Sequence, residues 1–275
     1  MIPKIFRRGR PPDHANAVIS AMSRYDMVRH PDESYFARQY LHWIMPELAD
    51  RFPSRQADIL DIGCGQGRFT IPLAQWTTGR VLGVDLTPAA VAAAQKYAQD
   101  QGLTNIRVHH ADLLPFVRSL PDSSIDVVLF IEVSFFLPSL SEALEEIARV
   151  LKPASLLCAS FRSQFFNLLQ TVRARLWDAA DDVAMERQGR IFGGQTLFTW
   201  QTPQDATRML SAVGLRVRSL RGVGVCSGVK GDPLASIAQP SRLSSKDQER
   251  LMKLECALAD QYVQLGRYML AIAEK

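Results

Sequence analysis

The sequence predicts an α/β fold, a doubly wound parallel sheet with crossover helices, and three observations carry that prediction. Between residues 55 and 161 short β-rich runs alternate with helical segments, the order that places helices over the faces of a parallel sheet. Those runs are nearly continuous in apolar residues, as strands covered on both sides must be. The first of them passes into a glycine-rich turn and then into helical spacing, in the stretch "ILDIGCGQGRFTIPLA".

The elements follow in order. Ahead of the core, "HPDESYFARQYLHWIMPELADRF" carries Tyr35, Phe36, Tyr40, Leu41 and Ile44 at helical spacing and predicts a helix. Strands are predicted at Asp58–Ile62, Arg80–Asp85, Ile106–His110, Ile125–Ile131 and Ser155–Phe161. The helix after the second strand is well punctuated. Thr87 suits its N-cap, Pro88 its first helical position and Gly102 its end. Beyond the core, "SQFFNLLQTVRARLWDAADDVAMERQG" reads as one or two helices and "RIFGGQTLFTW" as a glycine-punctuated loop or hairpin. Thr202 and Asp205 form a capping-box-like start to a helix ending at Gly214. A strand over Leu215–Val225, a helix over about Ser245–Leu265 and a last strand "RYMLAIAEK" complete the order. Nothing in the spacing fixes the relative direction of the last two strands.

A strand, a glycine turn and a helix bring backbone N–H groups and a helix N-terminus against a ligand. The spacing here is G-x-G-x-G, at Gly63, Gly65 and Gly67, preceded by Asp61. It is neither the dinucleotide fingerprint, since the sixth residue from Gly63 is Arg68, nor the P-loop pattern. A ligand end smaller than a pyrophosphate suits such a turn. Asp85 ends the second strand in "VLGVDLTP", where a carboxylate can accept from both hydroxyls of a ribose. Asp112, after the third strand in "RVHHADLLP", can accept from the exocyclic amine of an adenine.

With "DIGCGQG", "GVDLTP", "HHADL", "IDVVLFIEV" and "ARVLKP" in that order, the chain resembles the class I S-adenosylmethionine-dependent methyltransferases, strongly over residues 57–161. The resemblance implies a Rossmann-like sheet of seven strands with the last antiparallel, which would insert "RYMLAIAEK" beside the sixth strand. It implies S-adenosyl-L-methionine as methyl donor and S-adenosyl-L-homocysteine as product. By the same resemblance Asp61, Gly63, Cys64, Gly65 and Gly67 would hold the methionine end, Asp85 with Leu86 the ribose, and Asp112 with Leu113 the adenine. Ile131 and Glu132 would floor the place where methyl group and acceptor meet. The chain departs from the family at Ala154-Ser155, where two glycines are common, and at Arg68, where smaller residues are common.

Methyl transfer from a sulfonium is an in-line displacement of an already activated group, so alignment is the main task. A base is needed only when the acceptor must lose its proton early. Glu132, inside the apolar run "LFIEVSFF", is the candidate for that role, against a structural reading as a paired carboxylate shaping the strand end. His109 and His110 are adjacent on a strand and point to opposite faces, so they cannot share one metal ion; no metal is expected. An apolar or planar acceptor is expected to meet aromatics from the N-terminal helix and from a lid-like insertion over 163–200. Tyr35, Tyr40, Phe165, Phe166, Trp177, Phe198 and Trp200 are the candidates.

The totals narrow the function. The chain has 275 residues, 47% hydrophobic and 22% charged, which suits one large domain over residues 31–275. The net charge of +4 resides in Lys4, Arg7, Arg8 and Arg10, so residues 1–30 read as a basic tail and lead-in, and the rest is balanced. Without a basic stripe a nucleic-acid acceptor is not favoured. No Asn/Asp-Pro-Pro-aromatic run follows the fourth strand, and no cysteine follows a proline, which argues against base methylation. The four scattered cysteines predict reduced thiols, and no apolar segment follows the basic start. A cytoplasmic protein with no membrane span is expected. The expected function is methyl transfer to N or O of a small-molecule metabolite, with an RNA or protein acceptor as the alternative and a non-catalytic cofactor-binding scaffold as a further rival. The oligomeric state is not legible.

Overall fold

The computed structural model describes residues 26–137, 139–189 and 197–275. The basic segment expected to be a tail lies largely outside the described residues, as do the first seven residues of "RIFGGQTLFTW". The N-terminal helix runs over Pro31–Arg51 and buries Tyr35, Phe36, Tyr40 and Ile44. The strands that follow are β1 (Ile59–Ile62), β2 (Val81–Asp85), β3 (Ile106–His110), β4 (Ile125–Phe130) and β5 (Leu151–Arg162). A short ribbon pairs β6 (Gln188–Gly189) with β7 (Phe198–Thr199) in antiparallel fashion. The chain returns to the main sheet as β8 (Arg216–Val223) and β9 (Tyr268–Glu274).

The main sheet has seven strands in the order β3-β2-β1-β4-β5-β9-β8. β9 is antiparallel to both of its neighbours and lies between them, as the resemblance implied. Successive side chains of each strand enter different cores. On one face Ile59, Val81, Val127, Leu129, Cys158, Leu270 and Ile272 pack beneath the N-terminal helix. On the other Leu60, Ile62, Val128, Phe130, Leu157, Ala271 and Ala273 meet the Leu140–Val150 and Pro203–Ala212 helices. Both faces are covered, which is why the strands read as unbroken apolar runs.

Local signals mostly fall where the sequence places them. The Pro88–Asp100 helix starts after Thr87, though the threonine side chain makes no capping bond. Thr202 and Asp205 form the full reciprocal capping box of the Pro203–Ala212 helix. The 163–200 region contains two helices, Gln164–Arg173 and Trp177–Met185. Two boundaries differ by more than two residues. β5 begins at Leu151, which pairs with Ile125 before an irregularity in the register. The helix expected to reach Leu265 spans Ser245–Leu258, because the Ala259 carbonyl is taken by the Gly222 N–H and leaves the helical ladder. Among the described residues no helix is long and apolar enough to cross a membrane.

Ala154 has φ +61°, a left-handed conformation that costs a side-chain-bearing residue about 1–2 kcal/mol. A glycine would adopt that turn without the cost.

Candidate active site

The sheet reverses its strand order between β1 and β4, and in open α/β sheets ligands bind outside the carboxyl ends of the strands at such a switch. A cavity of about 490 Å³ lies there. One wall comes from the ends of β1, β2 and β3 with their following turns; the other comes from the ends of β4 and β5, the start of β9 and Phe198.

The glycine turn owes its composition to its own backbone first. Gly63 has φ +70°, and a Cβ there would meet Val133 Cγ2 at 2.1 Å. The protein's own side chain therefore excludes a substituent at Gly63. At Gly65, with φ +53°, a Cβ would meet nothing within 4 Å, so that face of the turn is open to a ligand. The Gly63 and Cys64 N–H groups both bond the Val84 carbonyl and pin the turn to β2.

Asp85 lies against this turn. Its Oδ2 accepts from the Gly65 N–H at 2.8 Å and its Oδ1 from the Thr87 N–H at 2.7 Å. Each carboxylate oxygen has a further lone pair to offer. Asp112 precedes the Leu113–Arg118 helix as its N-cap residue. Asp61 is placed differently. It is buried beneath the turn, off the cavity wall, where Oδ2 accepts from Thr70 Oγ1 at 2.6 Å. Burial raises its pKa to about 6. Burial also pushes the Cys64 thiol up, which argues against a reactive thiolate. Of the site residues expected from sequence, Gly63, Cys64, Gly65, Asp85, Leu86, Asp112, Leu113, Ile131 and Glu132 line the cavity, and Asp61 and Gly67 do not.

Glu132 follows β4 with φ +60°, strain of the kind that collects at functional sites. Its N–H donates to Ser160 Oγ at 2.7 Å. Its Oε2 is 3.1 Å from Arg68 Nη2, and its buried Oε1 has no hydrogen-bond partner. Arg68, unaccounted for by sequence, is buried and also meets Glu33 at 3.0 Å. Arg267 continues the network to Glu33 at 3.3 Å and Asp232 at 3.2 Å.

The expected aromatics divide sharply. Only Phe198 lines the cavity. Tyr35, Tyr40, Phe166 and Trp200 are core residues, and Phe165 and Trp177 are exposed on the surface. The rings on the wall are Phe69, Phe135, Phe136, Phe198 and Tyr268. Phe135 and Phe136 belong to "VSFF" directly after Glu132, so their proximity to the strand end was the available signal. His110 Nε2 lies 3.1 Å from the Leu86 carbonyl, and His109 packs on Phe116. Among the described residues no group of three or more His, Cys, Asp or Glu side chains could hold a metal ion.

Residues 60–159 match the family described as Methyltransferase domain. This segment is a methyltransferase domain, and the sheet around it has the fold of S-adenosylmethionine-dependent methyltransferases. The domain is similar to a sterol 24-C-methyltransferase of Gibberella zeae, 35% identical over 36% of this chain and 26% of that protein. It also matches a 23S rRNA uracil-C5-methyltransferase of a Shewanella species, 37% identical over 27% of this chain and 15% of that protein. The matched segment thus spans about a quarter or less of both curated relatives. In fold, the domain resembles the magnesium protoporphyrin IX methyltransferase of Synechocystis with bound SAH, at TM-score 0.58 and 16% identity over 94% of each chain. The methyl donor of this methyltransferase domain is S-adenosylmethionine.

Proposed function

We propose that the protein transfers a methyl group from S-adenosylmethionine to N or O of a small acceptor with an apolar or planar body. The observation that supports this reading is one cavity lined both by the Gly63–Gly65 turn with Asp85 and Asp112, and by Phe135, Phe136, Phe198 and Tyr268. A donor site and an aromatic acceptor site would thus share one cavity, with Glu132 on its wall.

The residues present suit the donor. Asp85 would take the ribose hydroxyls, Asp112 the adenine amine, and the open face of Gly65 the adjoining backbone contact. Bound there, the sulfonium supplies an activated methyl group. The chain's part is alignment and exclusion of water. Glu132, held by Arg68, would orient the acceptor through Oε1 and take its proton where one must leave. Phe198 on the wall is the support for treating 163–200 as a cover over the acceptor. An RNA acceptor draws on the ribosomal-RNA relative, and the rings of Phe135, Phe136, Phe198 and Tyr268 on the cavity wall favour the small molecule.

Calorimetric titration of S-adenosylmethionine and S-adenosylhomocysteine into wild type and Asp85→Ala tests the donor site. Charged hydrogen bonds are worth about 1.5–3 kcal/mol each, so the variant should bind about ten- to a hundredfold more weakly. No binding of either compound to wild type would overturn the reading.

A further inference from the structure

Arg162 ends β5 directly across the ladder from Tyr268, and both residues line the acceptor side of the cavity. Its Nε donates to Asn167 Oδ1 at 2.6 Å, its Nη2 to Gln170 Oε1 at 2.8 Å and its Nη1 to Tyr268 Oη at 3.4 Å. All three acceptors are neutral. The rings of Phe135, Phe166 and Tyr268 stand around the guanidinium with centroids at 5.5, 5.7 and 5.8 Å.

The other two arginines of the cavity are ion-paired, Arg68 to Glu33 and Glu132, Arg267 to Glu33 and Asp232. Among the described residues no Asp or Glu pairs with Arg162. Asp232 is one amide away, through Gln170, and already serves Arg267. A guanidinium stays charged and carries five N–H donors, so two remain beyond the three engaged. A charge enclosed by aromatic rings without a counter-ion is costly, unless a ligand brings the opposite charge. Lys230, exposed on the same wall and without an ion pair among the described residues, adds a second cation at the rim.

We infer that the acceptor carries a carboxylate on its planar or apolar body and that Arg162 is the residue that selects it. The two remaining donors match the fork geometry by which arginine holds a carboxylate. Phe135, Phe136 and Phe198 would then pack on the body, with the N or O to be methylated presented toward Glu132. The carboxylate is the anchor, and the methyl group goes elsewhere on the molecule. This inference rests on the small-acceptor reading above.

The test uses the full chain loaded with S-adenosylmethionine and labelled in the methyl group. The probes are hydroxybenzoates, aminobenzoates and hydroxyindole carboxylates, each paired with its neutral methyl ester. Label transfer and, on the S-adenosylhomocysteine complex, equilibrium binding are both measured. The expected result is a tenfold or greater preference for acid over ester in at least one pair. Arg162→Met should abolish that preference, and Arg162→Lys should keep part of it. Donor binding should stay within about threefold in both variants, which separates a selecting residue from a merely structural one. Equal or better use of the esters, or a preference that survives Arg162→Met, overturns the inference. Failure of wild type to bind the donor would overturn the function proposed above instead.

Discussion

Arg68 Nη2 stands 3.1 Å from Glu132 Oε2 while its Nη1 lies 3.0 Å from Glu33 Oε2, and all three side chains are less than a tenth exposed. One guanidinium therefore ties the end of β4 to the N-terminal helix across the cavity. Removing a partner from a buried ion pair leaves an uncompensated charge and costs about 3–5 kcal/mol. Arg68→Met is expected to lower the unfolding free energy by that order in urea titration. A loss below about 1 kcal/mol would show that Glu33 and Glu132 do not depend on it.

Glu132 is expected to matter for turnover more than for donor binding. Its Oε1 is buried and unpartnered on the residue that faces the cavity. Glu132→Gln should lower kcat/KM by about a hundredfold, the lower end of what a positioned acid or base supplies. Donor affinity by calorimetry should hardly move. Unchanged turnover would remove Glu132 from the chemistry.

Asp61 gives a pH dependence of stability. Burial raises its folded pKa from 3.8 to about 6, so between those values the folded state binds more protons than the unfolded. Its contribution is fully present below pH 3.8 and is lost as pH rises through about 6. That shift corresponds to about 3 kcal/mol. Asp61→Asn, which can still accept from Thr70, should be more stable than wild type at pH 8 by up to that amount. The gap should close near pH 4. Urea midpoints across this range check it, and parallel curves would refute the assignment.

Gly63 and Val133 form a steric pair. A Cβ at Gly63 would sit 2.1 Å from Val133 Cγ2, at a φ of +70°. Gly63→Ala is expected to destabilise by about 2–4 kcal/mol, the left-handed backbone contributing about 1–2 of it. Adding Val133→Ala should recover the steric part alone. Full recovery, or none, would contradict this division.

Ala154→Gly should be neutral or stabilising by up to about 1 kcal/mol. The relief of a left-handed alanine, about 1–2 kcal/mol, outweighs the added freedom glycine brings to the unfolded chain, about 0.5–1 kcal/mol. Thermal unfolding decides it, and a loss above about 1 kcal/mol would show that φ +61° is not strained here.

How far the sequence could be read depends on the range of each interaction. β1, β2 and β3 were legible because Asp61, Asp85 and the glycines mark their ends locally. The cavity wall proposed for the donor was legible for the same reason, since Gly63, Asp85 and Asp112 sit at or just after strand ends. Arg68 was opaque because its partners, Glu33 and Glu132, lie far away in sequence. The placement of the aromatic candidates was misjudged for a related reason. An aromatic residue has the same composition signal in a core as on a cavity wall, so Tyr40 and Trp200 could not be told from Phe135 and Tyr268. Arg162 carries no mark of its own in the sequence, and the neutral character of its neighbours, Asn167 and Gln170, shows only in the fold.

The placement of β9 bears on how the molecule comes together during synthesis. Tyr268–Glu274 lies between β5 and β8, yet it is made after both. Until it emerges from the ribosome, β5 presents an unpaired edge and β8 has no neighbour in the main sheet, a state open to wrong partners. The contacts that close the sheet are also among the most distant in sequence, as in the pairing of Arg162 with Tyr268, and such contacts slow folding. Because Arg162 and Tyr268 meet only through that late strand, their side of the cavity is completed after the side built from β1, β2 and β3, whose strands are translated more than a hundred residues earlier.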